Sequence, residues 1–101
     1  MRRAAKVDVN QPEIVKCLRA MGAHVLHTHQ LKNAFDILVG YHGNLYIMEI
    51  KDGSLPPSAK KLSTGEQSCK TKFNAVGVDY HIVENCSQAI DILNQNTKGT
   101  L

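Results

Sequence analysis

The chain lacks any hydrophobic run that approaches the roughly 20 apolar residues needed to cross a membrane. Its first ten residues, MRRAAKVDVN, are basic and lack the apolar central region of a secretory signal. No low-complexity segment or long linker divides the 101 residues, and the composition of 43% hydrophobic and 21% charged residues is typical of a globular protein. These features predict one soluble, cytoplasmic domain over residues 1–101, with no membrane partner.

Cysteine is also scarce, and the CxxC motif is absent. Cys17, Cys69 and Cys86 are odd in number and far apart, which argues against a disulfide framework and predicts three small core residues in a reducing cytoplasm. His27 and His29 alternate onto one face of a predicted strand, as two zinc ligands would. Because no cysteine or acidic residue lies at a zinc-ligand spacing, we interpret them as polar positions and keep a zinc-binding module as an alternative.

The remaining pattern alternates between helical and strand periodicity. Residues 11–21 have an apolar stripe at helical spacing after Asn10, a suitable cap. AHVLHT predicts a short strand, and the segment FDILVGYHGNLYIMEI predicts a hairpin of two strands. Ser63 and Glu66 have the spacing of a capping box for a second helix, VDYHIVEN predicts a fourth strand, and Ser87 would cap a closing helix. The order αβββαβα predicts an α/β domain with a mixed sheet.

The hairpin carries three charges at one end. A turn centred on His42 and Gly43 places Asp36 opposite Glu49, and Lys51 shares the face of Glu49 because side chains two apart point the same way. Apolar residues occupy both faces of the two strands, so helices are expected to cover both faces.

Two opposed carboxylates repel each other, and one lysine offsets this repulsion only in part. A hard divalent cation such as Mg²⁺ would remove the conflict, with Lys51 close enough to hold an attacking water or the charge that develops on a phosphate. The alternative is a salt bridge at the strand end, between Lys51 and either Asp36 or Glu49, with no chemistry attached.

Asp36, the hairpin and the EIK motif of Glu49, Ile50 and Lys51 resemble the signature of the PD-(D/E)XK nuclease superfamily. The chain is more closely similar to the small stand-alone VRR-NUC domains of phages and bacteria. The similarity covers nearly the whole chain and includes QPEIV, LVG, EIKDG, PPSAKKLS and GEQ. It implies a restriction-endonuclease-like αβββαβ core with a mixed sheet flanked by helices. The family usually has proline before the aspartate, where this chain has Phe35.

The resemblance also implies an activity, the hydrolysis of DNA phosphodiester bonds by a homodimer with Mg²⁺ or Mn²⁺ and no small-molecule cofactor. The implied metal ligands are Glu13, Asp36, Glu49 and the main-chain carbonyl of Ile50. The implied catalytic residues are Lys51, Glu49, Asp36 and Gln67. Glu13 has an alternative role, because a glutamate three residues after Asn10 is placed to cap its own helix. The alternative function is a non-catalytic nucleic-acid-binding relative of the nuclease fold.

The net charge of +3 and the pI near 8.8 are compatible with a polyanionic partner. Candidate phosphate contacts are Lys60, Lys61, Arg2, Arg3 and Lys6. No aromatic residues are interleaved with these cations, so base stacking and sequence-specific readout are not predicted. Branched DNA or junctions are the expected substrates.

Overall fold

The computed structural model describes residues 9–98, so Arg2, Arg3 and Lys6 lie outside the described part of the chain. Its elements are α1 (Gln11–Ala20), β1 (His24–His27), β2 (Ile37–Tyr41), β3 (Asn44–Ile50), α2 (Thr64–Ala75), β4 (Tyr80–Val83) and α3 (Cys86–Lys98). A short 3₁₀ turn, Pro57–Lys60, lies in the proline-containing loop before α2. The predicted α/β order is confirmed. Within residues 9–98, no helix is both long and apolar enough to span a bilayer.

The four strands form one mixed sheet in the order β1-β2-β3-β4. The pairs β1–β2 and β2–β3 are antiparallel, and β3 and β4 are parallel. The hairpin has the predicted register, with Leu38 opposite Ile47. Its turn uses positive φ at both His42 (48°) and Gly43 (82°), the backbone conformation that two-residue hairpin turns favour.

The core lies on one face of the sheet, between the strands and the pair α1 and α3. Its most completely buried side chains are Ile14, Leu18, Ile37, Met48, Ile50 and Leu93. On the other face α2 is a thin cover, since none of its residues is buried. The ring of Phe73 in α2 packs edge-on against Phe35, with 6.2 Å between the ring centroids. Phe35 packs edge-on against Tyr80 in turn, with 6.5 Å between the centroids. Helices therefore cover both faces as predicted, but unequally.

The prediction of three reduced core cysteines is wrong. Cys17 and Cys86 form a disulfide with their Cα atoms 6.1 Å apart, and Cys69 is free and half-buried. The bonded cysteines are 69 residues apart in sequence, but α1 and α3 pack side by side on the same sheet face, which brings them together. Distance along the chain is therefore no guide to pairing here, and the inference of a reducing compartment loses its basis.

Two of the predicted helix caps also differ from the structure. Asn10 makes no capping bond; its amide instead donates to the carbonyls of Lys51 (3.0 Å) and Glu84 (2.8 Å). For α3 the cap is Asn85 rather than Ser87, because Asn85 Oδ1 accepts from the main-chain N–H of Gln88 at 2.9 Å. The capping box at the start of α2 is confirmed, with both reciprocal bonds present.

Candidate active site

One edge of the sheet collects the polar residues. The parallel strands β3 and β4 both end there, β2 begins there, and the start of α1 is fixed to the same edge by Asn10. Strand direction therefore gathers Asp36, Glu49 and Lys51, which are distributed over 16 positions of sequence, into one cluster. This convergence was predicted from the hairpin register.

Asp36 lies just before β2 and is tied to the main chain of β3. Its Oδ2 accepts from the N–H of Ile50 at 2.7 Å, while its own N–H donates to the carbonyl of Met48 at 3.1 Å. These bonds fix the aspartate at the end of β3, although the regular ladder has already stopped at Ile37 and Met48. Ile50 itself is fully buried, and its main-chain N–H is what reaches Asp36.

Glu49 is the buried centre of the cluster, with 3% of its surface exposed. Its Oε2 lies 3.4 Å from Lys51 Nζ, and the same ammonium is 3.4 Å from Glu66 Oε1. Tyr80 donates its hydroxyl to the carbonyl of Ala34 at 2.7 Å and lies 3.5 Å from Glu49 Oε1. Lys51 therefore bridges a carboxylate on the sheet and one on α2.

The electrostatics of the cluster show an excess of negative charge. Burial, followed by the charge of Asp36 and by Glu66, raises the pKa of Glu49 to about 8. Burial opposes the charge on Lys51, but Glu49 and Glu66 together raise the pKa of the lysine above its ordinary value. Burial and the neighbouring carboxylates therefore favour the protonated form of Glu49, and the same carboxylates favour the charged form of Lys51.

Glu66 was missed as a site residue by sequence reasoning. Burial opposes its ionisation, yet the main-chain N–H of Ser63, Glu49 and Lys51 hold its pKa below the ordinary value. The capping box was the only local signal, and it accounts for the position of Glu66 without revealing that the carboxylate also reaches the sheet. Gln67, the predicted α2 residue, is exposed and lines a separate cleft with Thr71.

Glu13 is exposed on the first turn of α1. Gln11, two residues earlier, is the buried polar residue of that turn: its exposed fraction is 1%, and its Nε2 lies 3.2 Å from His27 Nδ1. Across residues 9–98, no three His, Cys, Asp or Glu side chains group closely enough to enclose a metal ion. The rings of His27 and His29 lie 5.9 Å apart, and a zinc site would need further ligands.

Of the predicted phosphate contacts within the described residues, Lys60 and Lys61 differ in their surroundings. Lys60 is half-buried, and its Nζ pairs with Glu84 Oε2 at 3.1 Å. Lys61 is exposed. Lys60 is therefore already paired with a carboxylate of the fold, whereas the charge of Lys61 faces solvent.

The donor set of the cluster fits a hard divalent cation. The groups that could bind a cation are carboxylate and main-chain carbonyl oxygens, the ligands that Mg²⁺ and Mn²⁺ prefer. Burial and then the charge of Asp36 raise the pKa of Glu49, and a bound cation would oppose both effects. Asp36, Glu49 and the carbonyl of Ile50 would hold the ion, with water completing its shell.

Comparison with known proteins gives one informative result. No family model matches the sequence, and no curated protein matches it. A solved structure described as a VRR_NUC domain superposes with a TM-score of 0.60 at 19% sequence identity, over 86% of this chain and 97% of the other. The chain has the fold of a VRR-NUC domain.

The VRR-NUC likeness covers 86% of this chain and 97% of the other. At 19% identity the likeness establishes the architecture alone. The chemistry rests on the residues that this chain places at the edge.

Proposed function

We propose that residues 1–101 form a single nuclease domain of the VRR-NUC type that hydrolyses DNA phosphodiester bonds with Mg²⁺ or Mn²⁺. The observation that carries this proposal is the convergence of Asp36, Glu49 and Lys51 at one sheet edge, with more negative charge than the lysine offsets. The shared fold supports it. Paired carboxylates can hold a metal ion and a neighbouring ammonium can stabilise charge on a phosphate, which suits metal-assisted phosphodiester hydrolysis.

A bound cation would polarise the scissile phosphate and lower the pKa of a water molecule. Asp36 and Glu49 would hold the ion, and its charge would replace the proton on Glu49. The ammonium of Lys51 would be the group that stabilises negative charge developing on the phosphate. Glu66 keeps Lys51 protonated and oriented from the opposite side.

The test is cleavage of linear duplex, nicked, flap and four-way-junction DNA, each with Mg²⁺, Mn²⁺ or EDTA. Asp36→Asn and Lys51→Ala should reduce the cleavage rate by at least about a hundredfold, the usual effect of removing an electrostatic group from a reacting centre. Lys51→Ala should retain Mn²⁺ binding in calorimetry, because lysine is not a ligand. Asp79→Asn, an exposed carboxylate at the start of β4, is the matched control and should cleave normally. Variants of Asp36 and Lys51 that fold and cleave at wild-type rates would contradict the proposal.

We further expect branched DNA to be cleaved in preference to linear duplex, whatever its sequence. Glu13 and Gln67 remain predicted contributors, to be tested by Glu13→Gln and Gln67→Ala in the same panel. A sequence-dependent cleavage pattern on linear duplex would contradict the expected selectivity for DNA structure.

A non-catalytic DNA-binding domain is the second candidate. It is favoured by the exposed position of Glu13 and by the lack of three convergent metal-binding side chains in residues 9–98. This candidate predicts DNA binding that is unchanged by EDTA and no product with any substrate or metal. Mn²⁺-dependent product that disappears in Asp36→Asn would reject it.

We also expect a two-fold homodimer, the commonest symmetric assembly, which would bring two sites to one DNA. The sheet face that carries α2 supports this expectation, since Leu26, Leu45 and Ile82 are 52%, 72% and 40% exposed there. Light scattering should give twice the 11.1 kDa chain mass, and Leu45→Asp should return the protein to the monomer mass. A monomer at micromolar concentration, with and without DNA, would contradict the dimer.

A further inference from the structure

A second cleft lies beside the candidate active site, on the side of α1. It has a volume of about 440 Å³. Its lining includes Gln11, Lys16 and Arg19 of α1, His27 at the end of β1, and His29 in the loop that follows β1. None of its lining residues is acidic, although the neighbouring sheet edge is rich in carboxylates. This difference in charge marks the cleft as a separate environment.

The two environments meet at one residue. His29 also lines a cleft of about 430 Å³ that contains Asp36 and Glu66. His29 is therefore the residue that links the cleft at Asp36 with the basic cleft. No comparable continuity links the basic cleft with the groove that contains Gln67, since the two share no lining residue.

The polar groups of the cleft are held in place by the fold. Arg19 donates one Nη2 bond to the carbonyl of Val25 at 3.2 Å, which fixes the guanidinium over β1 and leaves further donors on the same group. Gln11 Nε2 lies against His27 Nδ1 and orients that ring. Gln11 Oε1 is buried and finds no hydrogen-bond partner among the described residues.

We propose that this cleft binds a backbone phosphate of the DNA strand whose neighbouring phosphate lies at Asp36 and Glu49. The position of the neighbouring phosphate at Asp36 and Glu49 rests on the proposed nuclease function, but the proposal itself concerns binding and not cleavage. Lys16 and Arg19 supply the positive charge, and Pro12 and Val15 offer an apolar surface that suits a deoxyribose. His29 marks the path of the strand between the two positions.

The experiment uses a short thymidine oligonucleotide in EDTA, so that binding is measured without cleavage. Lys16→Ala and Arg19→Gln should each weaken binding and make the dependence of log K on log salt shallower by about one unit, the effect of one lost phosphate contact. The matched control is Lys72→Ala, which removes the same charge from the last turn of α2. In nuclear magnetic resonance spectra, the imidazole signals of His27 and His29 should shift as the oligonucleotide is added.

An affinity and salt slope for Lys16→Ala that equal those of Lys72→Ala would overturn the proposal, as would unshifted signals of His27 and His29 when binding is saturated. Lys16 is exposed, so its replacement does not threaten folding, and circular dichroism checks Arg19→Gln. A wild-type protein that binds through this cleft yet never cleaves DNA would reject the nuclease and support the phosphate site. Cleavage by a protein whose Lys16 and Arg19 variants bind DNA normally would support the nuclease and reject the phosphate site.

Discussion

Replacing Glu49 by glutamine tests the electrostatic basis of the site. The pKa of Glu49 is about 8 in the fold and near its ordinary value of 4.5 in an unfolded chain. Between these values the folded protein holds a proton that the unfolded chain has released, so stability falls as the pH rises. The loss is about 1.4 kcal/mol per pH unit, or roughly 5 kcal/mol in total between pH 4.5 and pH 8.

Glu49→Gln keeps the shape of the side chain and removes the titration. In EDTA its stability should therefore exceed that of the wild type by an amount that grows with pH up to about 8 and then stays constant. Any bond that the amide loses to Lys51 or Tyr80 adds only an offset that does not vary with pH over this range. Urea unfolding followed by circular dichroism, at pH values from 4 to 9, measures the difference directly.

Metal binding gives the second half of the test. A divalent ion displaces the proton on Glu49, so Mn²⁺ affinity should increase with pH up to about 8 and protons should be released on binding. Mn²⁺ should raise the melting temperature of the wild type and have little effect on Glu49→Gln. Asp91→Asn is the control, since this exposed carboxylate of α3 should leave both behaviours unchanged. Stability curves for wild type and Glu49→Gln that run parallel from pH 4 to pH 9 would refute the reasoning.

Three further changes test other parts of the structure. Gly65→Ala should lower the melting temperature because the new Cβ would overlap the side chain of Asn33, even though alanine has a helix propensity better than glycine by about 1 kcal/mol. Adding Asn33→Gly should restore stability, since it removes the overlapping side chain and since glycine also suits the positive φ of 58° at position 33. Lys61→Ala should weaken DNA binding and reduce the salt slope by about one unit, more than Lys60→Ala, whose ammonium already pairs with Glu84; equal effects in fluorescence anisotropy would contradict this. Cys17→Ser should cost about 4 kcal/mol in urea unfolding, from the loop entropy of a 69-residue separation, and a reductant should then have no additional effect.

The sequence by itself determined the hairpin and what the hairpin carries. Period-two alternation and the His42–Gly43 turn fix the register, and the register brings Glu49 and Lys51 together on one face and Asp36 to the same end. Side chains in paired strands repeat at a known spacing, so once the register is set the three charges can be arranged in only one way. The capping box at Ser63 and Glu66 was predictable for the same reason, because both of its bonds lie within one turn of chain.

Tertiary structure alone decided which residues meet across elements. Helical spacing predicts which residues of α2 share a face, but not which face turns toward the sheet. In the structure the helix is turned so that Glu66, rather than Gln67, lies beside Lys51. Likewise, the packing of α1 beside α3 joins Cys17 to Cys86, although the two residues are 69 positions apart in sequence. Such contacts depend on how whole elements dock, and docking is set by the summed burial of many side chains, so no local pattern encodes it.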